Sequence, residues 1–272
     1  SVAFNAPFGW MKQVPSDFGG TRNGMVVAWP KGIRAKNEIR SQFGHVIDVA
    51  PTLLEVAGLP EPVFVNGVQQ KPIEGISMAY SFDDANAAER HETQYFEIVG
   101  NRGIYHKGWT AVTRHSTPWP TPGGLILPAY DDDQWELYSP EDWTQARDIS
   151  KEMPDKLHEL QRLFLIEAAK YNVLPLDDRR TERLNSDLAG RPTLIRGKSQ
   201  LLFSGMGRLP ENVVLNTKNK SHSITAEVVL PEKDANGVIV AIGGGFGGWS
   251  FYIKDGRLKY CYNMFGYWRY YT

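Results

Sequence analysis

Hydrophobic positions change their spacing along the chain, and each spacing predicts a different kind of element. A continuous apolar run over residues 25–29 is typical of a strand that is buried on both faces. Apolar residues at helical spacing follow over 46–56, where Asp48 at the N-cap would leave Pro51 in the first turn, which tolerates proline. A second helical pattern covers 154–171. We therefore expect one buried strand and two helices in this part of the chain.

Three short apolar segments lie between those helical patterns and predict a small antiparallel sheet. They cover residues 94–99, 109–113 and 134–138, with turn residues between them. The helix over 154–171 carries its apolar side chains on one side, so we expect it to cover one face of the sheet. Residues 60–75 are rich in proline and glycine and are expected to form a loop.

From about residue 190 onwards the pattern predicts strands only. Short apolar segments occupy 200–203, 223–230, 237–242, 249–253 and 258–262. Their spacing is typical of a β-sandwich, and Asp255-Gly256 is a strong hairpin signal. We expect an α+β chain with a boundary near 180–195. Residues 1–180 would form the first region, and residues 190–272 a β-sandwich-like domain that is incomplete.

Composition and charge exclude several classes of function. The 272 residues are 42% hydrophobic and 22% charged, which is typical of a folded globular protein. Thirty basic and 31 acidic residues leave a net charge of −1, so a strongly basic nucleic-acid binder is excluded. No run of 18 apolar residues occurs, and no membrane span is expected. The single cysteine, Cys261, excludes an intramolecular disulfide framework and a multi-thiolate zinc site.

The residue pattern by itself offers little catalytic chemistry. Glycine-rich residues 243–248 lie inside the strand region with no helix after them, so we expect a hairpin rather than a phosphate-binding loop. The six histidines lack the His-x-x-x-His spacing of a metal-binding helix, and no Gly-x-Ser-x-Gly sequence occurs. The acidic residues 131–133 and 177–178 are expected to be caps or solvated turns.

Four motifs in the first region carry a family resemblance. They are Lys12 with Gly19-Gly20-Thr21-Arg22 before an apolar run and Trp29-Pro30; Asp48-Val49-Ala50-Pro51-Thr52-Leu53-Leu54-Glu55-Val56-Ala57-Gly58; Asn101-Arg102-Gly103-Ile104-Tyr105 before Gly108-Trp109; and Trp135-Glu136-Leu137-Tyr138. In this order they resemble the C-terminal half of the type I sulfatases of the alkaline-phosphatase superfamily, in particular the bacterial arylsulfatase branch. The resemblance covers about residues 1–175.

The resemblance implies the hydrolysis of a small-molecule sulfate ester. In this family a hydrated formylglycine attacks sulfur, Asp and Asn side chains hold a divalent cation, usually Ca²⁺, and Lys and His side chains contact the sulfate. Such chemistry needs preorganised cations because negative charge develops on the transferring group. The implied fold is the C-terminal part of an α/β sulfatase: a buried strand, a helix, and a small antiparallel sheet with a covering helix.

The sequence departs from the family at the nucleophile. The formylglycine precursor is the Cys or Ser of Cys/Ser-x-Pro-x-Arg, but Cys261 precedes Tyr262, and Ser116-Thr117-Pro118-Trp119-Pro120 has proline where arginine is needed. Formylglycine and Ca²⁺ would therefore be carried by residues outside this segment, and we expect the segment alone to be inactive. We also expect it to be a fragment, with exposed apolar surfaces beside 25–29 and 46–56 through which it self-associates.

One site residue follows from the resemblance and three others accompany it. Lys12 matches the lysine that contacts sulfate, although its pattern alone is that of a solvated lysine. Arg22 is expected to be structural and to pair with a carboxylate, which we take to be Asp48. His45 faces the substrate cleft or is a surface or hydrogen-bonded core histidine. No metal ligand is expected in this segment.

Two other functions remain open. The first is a non-catalytic binding module, in which the β-sandwich-like domain recognises a glycan or a partner through exposed aromatic residues. The candidates for those residues are Trp249, Tyr252, Tyr260 and Tyr262. The second is another hydrolase of the same superfamily, a phosphodiesterase or a phosphonate hydrolase.

Overall fold

The structure is a computed structural model, and it describes residues 5–117, 119, 127–180, 182, 188–190, 193–218, 220–231 and 233–272. The chain divides into two compact units, Ser1–Ala189 and Gly190–Thr272, and each is described by itself. The predicted mixed class is confirmed, since a few helices accompany several antiparallel sheets. No helix in the described part of the chain has both the length and the apolar character needed to cross a bilayer.

The described residues of the first unit form three α-helices and six strands, besides short 3₁₀ turns. In chain order they are α1 (Phe18–Thr21), α2 (Val49–Ala57), β1 (Phe64–Val65), β2 (Val68–Gln69), β3 (Thr93–Ile98), β4 (Asn101–His106), β5 (Trp109–Thr113), β6 (Trp135–Tyr138) and α3 (Pro154–Lys170). Strands β1 and β2 form a minimal hairpin inside the segment that was expected to be a loop.

The main sheet of the first unit is antiparallel with the order β3-β4-β5-β6. Two-residue turns join its first three strands, Val99-Gly100 and Lys107-Gly108, and all four turn residues have positive φ, as a tight hairpin requires. Strands β3, β5 and β6 were predicted, whereas β4 was not. Its first residues, Asn101 and Arg102, are polar yet buried, so hydrophobicity gives no sign of this strand.

Helix α3 covers one face of this sheet, as its apolar stripe predicted. Its buried side chains pack against a row of strand residues, and together they form the core: Ile104, Ala111, Leu137, Leu160, Phe164 and Ala168. Burial of this apolar surface is the main force that holds helix and sheet together. Pro154 occupies the first turn of α3, where a missing N–H costs no hydrogen bond.

The strand predicted over residues 25–29 is wrong. The segment forms no strand, and Val26 is 94% exposed. A strand is stable only when a neighbouring strand pairs with its backbone, and none of the described residues pairs with this one. The predicted helix over 46–56 is confirmed in part: it opens with a 3₁₀ turn, Val46–Asp48, and continues as α2 until Gly58 in the left-handed conformation.

The described residues of the second unit form one four-stranded antiparallel meander, not the two packed sheets of a sandwich. Its strands are β7 (Gly237–Gly244), β8 (Gly247–Lys254), β9 (Arg257–Met264) and β10 (Trp268–Tyr271), paired in the order β10-β9-β8-β7. Residues 200–203 and 223–230, which were expected to be strands, are not paired. Without backbone pairing, their apolar pattern does not produce a second sheet.

The predicted hairpins of the second unit are confirmed. Asp255-Gly256 joins β8 to β9, and both turn residues have positive φ. The glycine-rich residues join β7 to β8 and do not form a phosphate loop. At Gly248, a side-chain Cβ would lie 2.0 Å from the carbonyl oxygen of Ile242, so only glycine permits this close approach of the two strands.

The core of the first unit yields a stability prediction. Leu160→Ala should lower the free energy of unfolding by about 3 kcal/mol, because it leaves a cavity among fully buried side chains. Leu165→Ala on the same helix removes a half-exposed side chain and should change the free energy of unfolding by less than about 0.5 kcal/mol. Urea unfolding of the two variants measures the difference. Equal losses would contradict the assignment of the core.

The exposed apolar segments yield a second prediction. Val26 is 94% exposed and Leu53 is 61% exposed, so the chain should bind a hydrophobic dye and self-associate. The double variant Val26→Lys with Leu53→Lys should lower dye fluorescence and shift sedimentation equilibrium towards the monomer. Glu55→Lys, on an exposed position of the same helix, adds charge without removing apolar surface and is the control. A wild-type chain that is monomeric and binds no dye would contradict this prediction.

Candidate functional site

The face of the main sheet opposite α3 carries both segments that contain predicted site residues. Strand register places Phe96, Gly103, Val112 and Glu136 in one row on this face. The row beside it, with Ile104, Ala111 and Leu137, faces α3. The N-terminal segment and the segment around His45 both lie against the first of these rows, as their contacts demonstrate. We call this surface the site face.

The N-terminal loop, residues 9–20, is closed on itself by close backbone contacts. Gly19 N–H donates to Gly9 O at 3.0 Å, and a Cβ on Gly19 would lie 2.2 Å from that same oxygen. A Cβ on Gly20 would lie 2.0 Å from Val14 O. No other residue type fits at these two positions, which gives the Gly-Gly motif its physical reason.

Side-chain hydrogen bonds fix this loop on the site face. Ser16 Oγ donates to Thr113 O on β5 at 2.7 Å, and Asn101 Nδ2 on β4 donates to Gln13 O at 3.2 Å. Phe18 N–H donates to the side-chain oxygen of Gln145 at 2.7 Å. The loop is therefore bound to two strands and to the segment after β6, which holds its backbone in one position.

Lys12 lies at the tip of this loop. It occupies the turn Met11–Val14, in which Val14 N–H donates to Met11 O at 3.0 Å and Gln13 has φ 78°. The Lys12 side chain is exposed, and no described residue forms an ion pair with it. Its ammonium group is thus available to an anion from solvent. Lys12 does not line the surface pocket around His158 or the one around His222.

The predicted pairing of Arg22 with Asp48 is wrong. The Arg22 guanidinium donates to Trp143 O at 3.0 Å and lies over the rings of Phe8 and Phe18 at 5.3 and 5.4 Å. Arg22 therefore anchors the end of the N-terminal loop by a backbone contact and by cation–π attraction. Its role is structural, but its partners are aromatic rings and a carbonyl in place of a carboxylate.

Asp48 is fully buried and joins distant segments of the first unit. Its carboxylate accepts hydrogen bonds from His45 N–H at 2.7 Å, from Ile76 N–H at 2.8 Å, and from His91 Nδ1 at 2.8 Å. Its backbone oxygen accepts from Thr52 Oγ1 at 2.6 Å. Instead of capping α2, the side chain ties the start of that helix to two other segments.

The partner of Asp48, His91, was not predicted as a site residue. His91 Nδ1 faces the carboxylate, and Nε2 faces the side-chain oxygen of Gln94 at 3.1 Å. Both ring nitrogens face acceptors, so both donate when the ring is protonated. Burial by itself lowers the pKa of His91, but the hydrogen bond and charge of Asp48 outweigh it and the pKa is raised. Nothing in the sequence around His91 marks it.

The contact with His91 shifts the pKa of Asp48 in the opposite direction, downwards. Burial by itself would raise the pKa of Asp48, whereas the hydrogen bonds from His91, His45 and Ile76 lower it below its ordinary range. Below the raised pKa of His91, the pair therefore consists of a carboxylate and an imidazolium that compensate each other in a buried site.

His45 is half-buried on the site face. Its ring lies 5.6 Å from the ring of Phe96 and 6.4 Å from that of His91. Burial and the neighbouring charge of His91 lower the pKa of His45, so its ring is neutral at pH 7. Its Nδ1 atom is buried and has no hydrogen-bond partner among the described residues. The ring is therefore packed on the site face with one unsatisfied nitrogen, and its contact with a substrate stays a prediction.

Asp17 is a second ionisable group that sequence reasoning missed. It is buried in the N-terminal loop, and burial together with the charge of Glu136 raises its pKa to about 6, despite the opposing charge of Arg114. A carboxyl group that holds its proton near neutral pH can donate it in a reaction. Its place at the N-cap of the short α1, two residues before Gly19, was the only sequence signal.

A buried cluster of ionisable groups lies beside the start of β4. Asp133 pairs with Arg102 and accepts from His115 Nδ1 at 2.9 Å, and His115 Nε2 lies 3.3 Å from Asp178 Oδ2. The expectation of a cap or solvated turn is wrong for Asp133, because sheet formation brings it onto the buried Arg102 guanidinium, whereas residues 131–132 are exposed in a 3₁₀ turn. The cluster links strands β4 and β6 to the segment that leaves α3.

The described residues do not make a site for Ca²⁺. No group of three or more His, Cys, Asp or Glu side chains among them is arranged to hold a metal ion. Cys261 lies on β9 and is followed by tyrosine, so its surroundings do not fit a formylglycine. No reaction step through either group is derived for this chain.

Comparison with solved structures shows a likeness to a sulfatase. No family model matches the chain, and no curated protein matches it. The chain is similar to a solved sulfatase from the core genetic locus with which Bacteroides thetaiotaomicron metabolises multiple glycosaminoglycans. The identity is 18%, the TM-score is 0.41, and the likeness covers 57% of this chain and 30% of that chain. The chain thus spans less than a third of that protein, and a likeness at this TM-score carries no argument about function.

The Asp48–His91 pair yields a prediction about pH. The folded pKa of His91 is raised above 6.5, so its contribution to stability is present below pH 6.5 and is lost as the pH rises through the raised value. The folded pKa of Asp48 is lowered below 3.8, so its contribution is present above pH 3.8 and is lost as the pH falls through the lowered value. The pair should therefore stabilise the first unit most between these two limits.

Asp48→Asn tests this prediction. It should lower the free energy of unfolding at pH 6 by about 3 kcal/mol and abolish the stability loss above pH 6.5. Asp131→Asn replaces an exposed carboxylate, so it should change neither the stability at pH 6 nor the loss of stability above pH 6.5. Urea unfolding at several pH values and NMR titration of the His91 ring measure the two effects. A wild-type His91 that titrates below 6.5 would contradict the assignment.

Proposed function

We propose that the first unit is the C-terminal portion of a sulfate-ester hydrolase of the arylsulfatase type, and that Lys12 contacts the sulfate group. The observation that carries the proposal is that two motif segments, far apart in sequence, both lie against the site face. One segment presents an unpaired ammonium group on a rigid loop. The other carries the buried Asp48–His91 pair beside the neutral ring of His45.

The electrostatics of the site face support an anionic ligand. A positive charge placed in advance near the developing negative charge stabilises a transition state without reorganisation. Lys12 supplies such a charge as a compact ammonium with three donors. His91 does not compete for the anion, since Asp48 already compensates its charge within the buried pair. His45 is neutral at pH 7 and its unpartnered Nδ1 is buried, so its ring adds no charge to the site face.

In this proposal the chain binds and orients the ester, and other residues of the parent protein perform the attack. A hydrated formylglycine would supply the nucleophile and Ca²⁺ a Lewis acid, both on residues outside this sequence. The Gly-Gly turn and the Ser16 and Asn101 contacts keep Lys12 at a fixed distance from the sheet. The segment without those groups is expected to turn over no sulfate ester.

Substitution of Lys12 tests the proposal in the protein expressed from its complete gene. Lys12→Ala should lower kcat/KM for 4-nitrophenyl sulfate by about 100-fold, the loss typical of one transition-state donor, and Lys12→Arg should recover part of it. Lys31→Ala removes another exposed lysine of the same unit and should have no effect.

Two results would overturn the proposal. The first is activity of Lys12→Ala within twofold of the wild type, which would leave Lys12 a solvated lysine. The second is faster hydrolysis of 4-nitrophenyl phosphate or its diester than of the sulfate, which would favour a phosphodiesterase or phosphonate hydrolase of the same superfamily.

A further inference from the structure

A separate pocket lies on the sheet of the second unit. It has a volume of about 490 Å³ and is open to solvent, and its walls come from strands β8 and β9 and from the segment around residue 221. The lining residues are Lys220, Ser221, His222, Ile224, Phe251 and Tyr260. None of them belongs to the site face, so nothing in the proposed sulfatase function uses this pocket.

Aromatic rings form the floor of the pocket. Strand register places Trp249 opposite Tyr262 and Phe251 opposite Tyr260, so these four side chains share one face of the sheet. The ring of Trp249 stacks on that of Tyr260, with centroids 6.0 Å apart and planes at 28°. His222 also stacks on Trp249, at 5.5 Å and 27°. Of these rings, Phe251, Tyr260 and His222 line the pocket, and Trp249 packs beside them.

The register also corrects the set of aromatic residues expected to bind a glycan. Trp249, Tyr260 and Tyr262 share a face, but Tyr252 pairs with Lys259 and points to the opposite one. Two further aromatic residues, Trp268 and Tyr270 on β10, continue the first face beyond Tyr262 and are more than half exposed. The aromatic surface is thus longer than the pocket.

The rim of the pocket carries one ammonium group and one imidazole. Lys220 and His222 supply them, and no carboxylate lines the pocket. His222 Nδ1 donates to Lys220 O at 3.0 Å, which leaves Nε2 for a ligand. Within the described part of the chain, neither Lys220 Nζ nor His222 Nε2 has a hydrogen-bond or ion-pair partner. The Ser221 and Tyr260 hydroxyl groups add two polar contacts.

We propose that this pocket binds an anionic saccharide, a sugar ring that carries a sulfate or carboxylate group. The Phe251 and Tyr260 rings can pack against the apolar C–H face of a pyranose, and the Ser221 and Tyr260 hydroxyl groups can meet its hydroxyls. The Lys220 ammonium group complements the acidic substituent, and the absence of a lining carboxylate avoids repulsion. A nucleic acid fits less well, because its affinity depends on many phosphate contacts and the chain has a net charge of −1.

Titration of the whole chain tests the proposal. The probes are a dextran sulfate oligosaccharide and unsulfated dextran of equal length, and the readouts are calorimetry and the fluorescence of Trp249, followed by comparison with Trp249→Phe. The sulfated probe should bind and change the fluorescence, and the dextran should bind at least about tenfold more weakly. The double variant Lys220→Ala with His222→Ala should weaken the binding of the sulfated probe about tenfold, because it removes two polar surface contacts.

A matched control separates a built pocket from surface charge. Lys254 is exposed and belongs to the opposite face of β8, so Lys254→Ala should leave the affinity unchanged. Equal weakening by Lys254→Ala, or competition by an oligothymidylate at the same concentration, would overturn the proposal. So would equal affinity for both dextrans. The binding measurement needs no enzyme turnover, and Lys12→Ala should not change the affinity of the saccharide probe. Failure of the saccharide proposal is therefore distinguishable from failure of the proposed function.

Discussion

The architecture of the site face depends on one buried carboxylate. Asp48 is removed from water and compensated by the His91 imidazolium and by two backbone N–H groups. A buried charge without such partners would be strongly unfavourable. The segments that supply them, around residues 45, 76 and 91, are therefore fixed relative to α2 whenever the carboxylate is ionised. The position of His45 over Phe96 is a consequence of the same constraint.

The two candidate sites of the molecule are built in different ways. On the site face, a glycine-closed loop holds a flexible lysine at its tip, and the rigidity lies in the backbone. In the second unit, aromatic rings on paired strands form the floor, and Lys220 and His222 come from an unpaired segment beside them. The first arrangement presents a point charge, and the second presents an aromatic surface with an ammonium group at its edge.

Sequence patterns predicted the elements that depend on local chemistry. Helix α3 has its proline and its apolar stripe, and the hairpins have glycine at positive φ, so both are visible in the sequence. Elements that depend on distant partners were not predicted correctly. The apolar run over 25–29 lacks a strand to pair with, and β4 is held by neighbours in spite of its polar start. In the site, Lys12 was found through a motif, whereas His91 became visible only when folding brought it to Asp48.

The burial of Asp17 has a consequence for the energy of the N-terminal loop. Because the pKa of this carboxyl is raised from 3.8 to about 6, its ionised form at neutral pH favours the unfolded chain. The fold therefore gives up some stability in the same loop that presents an unpaired ammonium group. A ligand that brings a proton or a compensating cation to this loop would regain that free energy, so binding there would also tighten the surrounding structure.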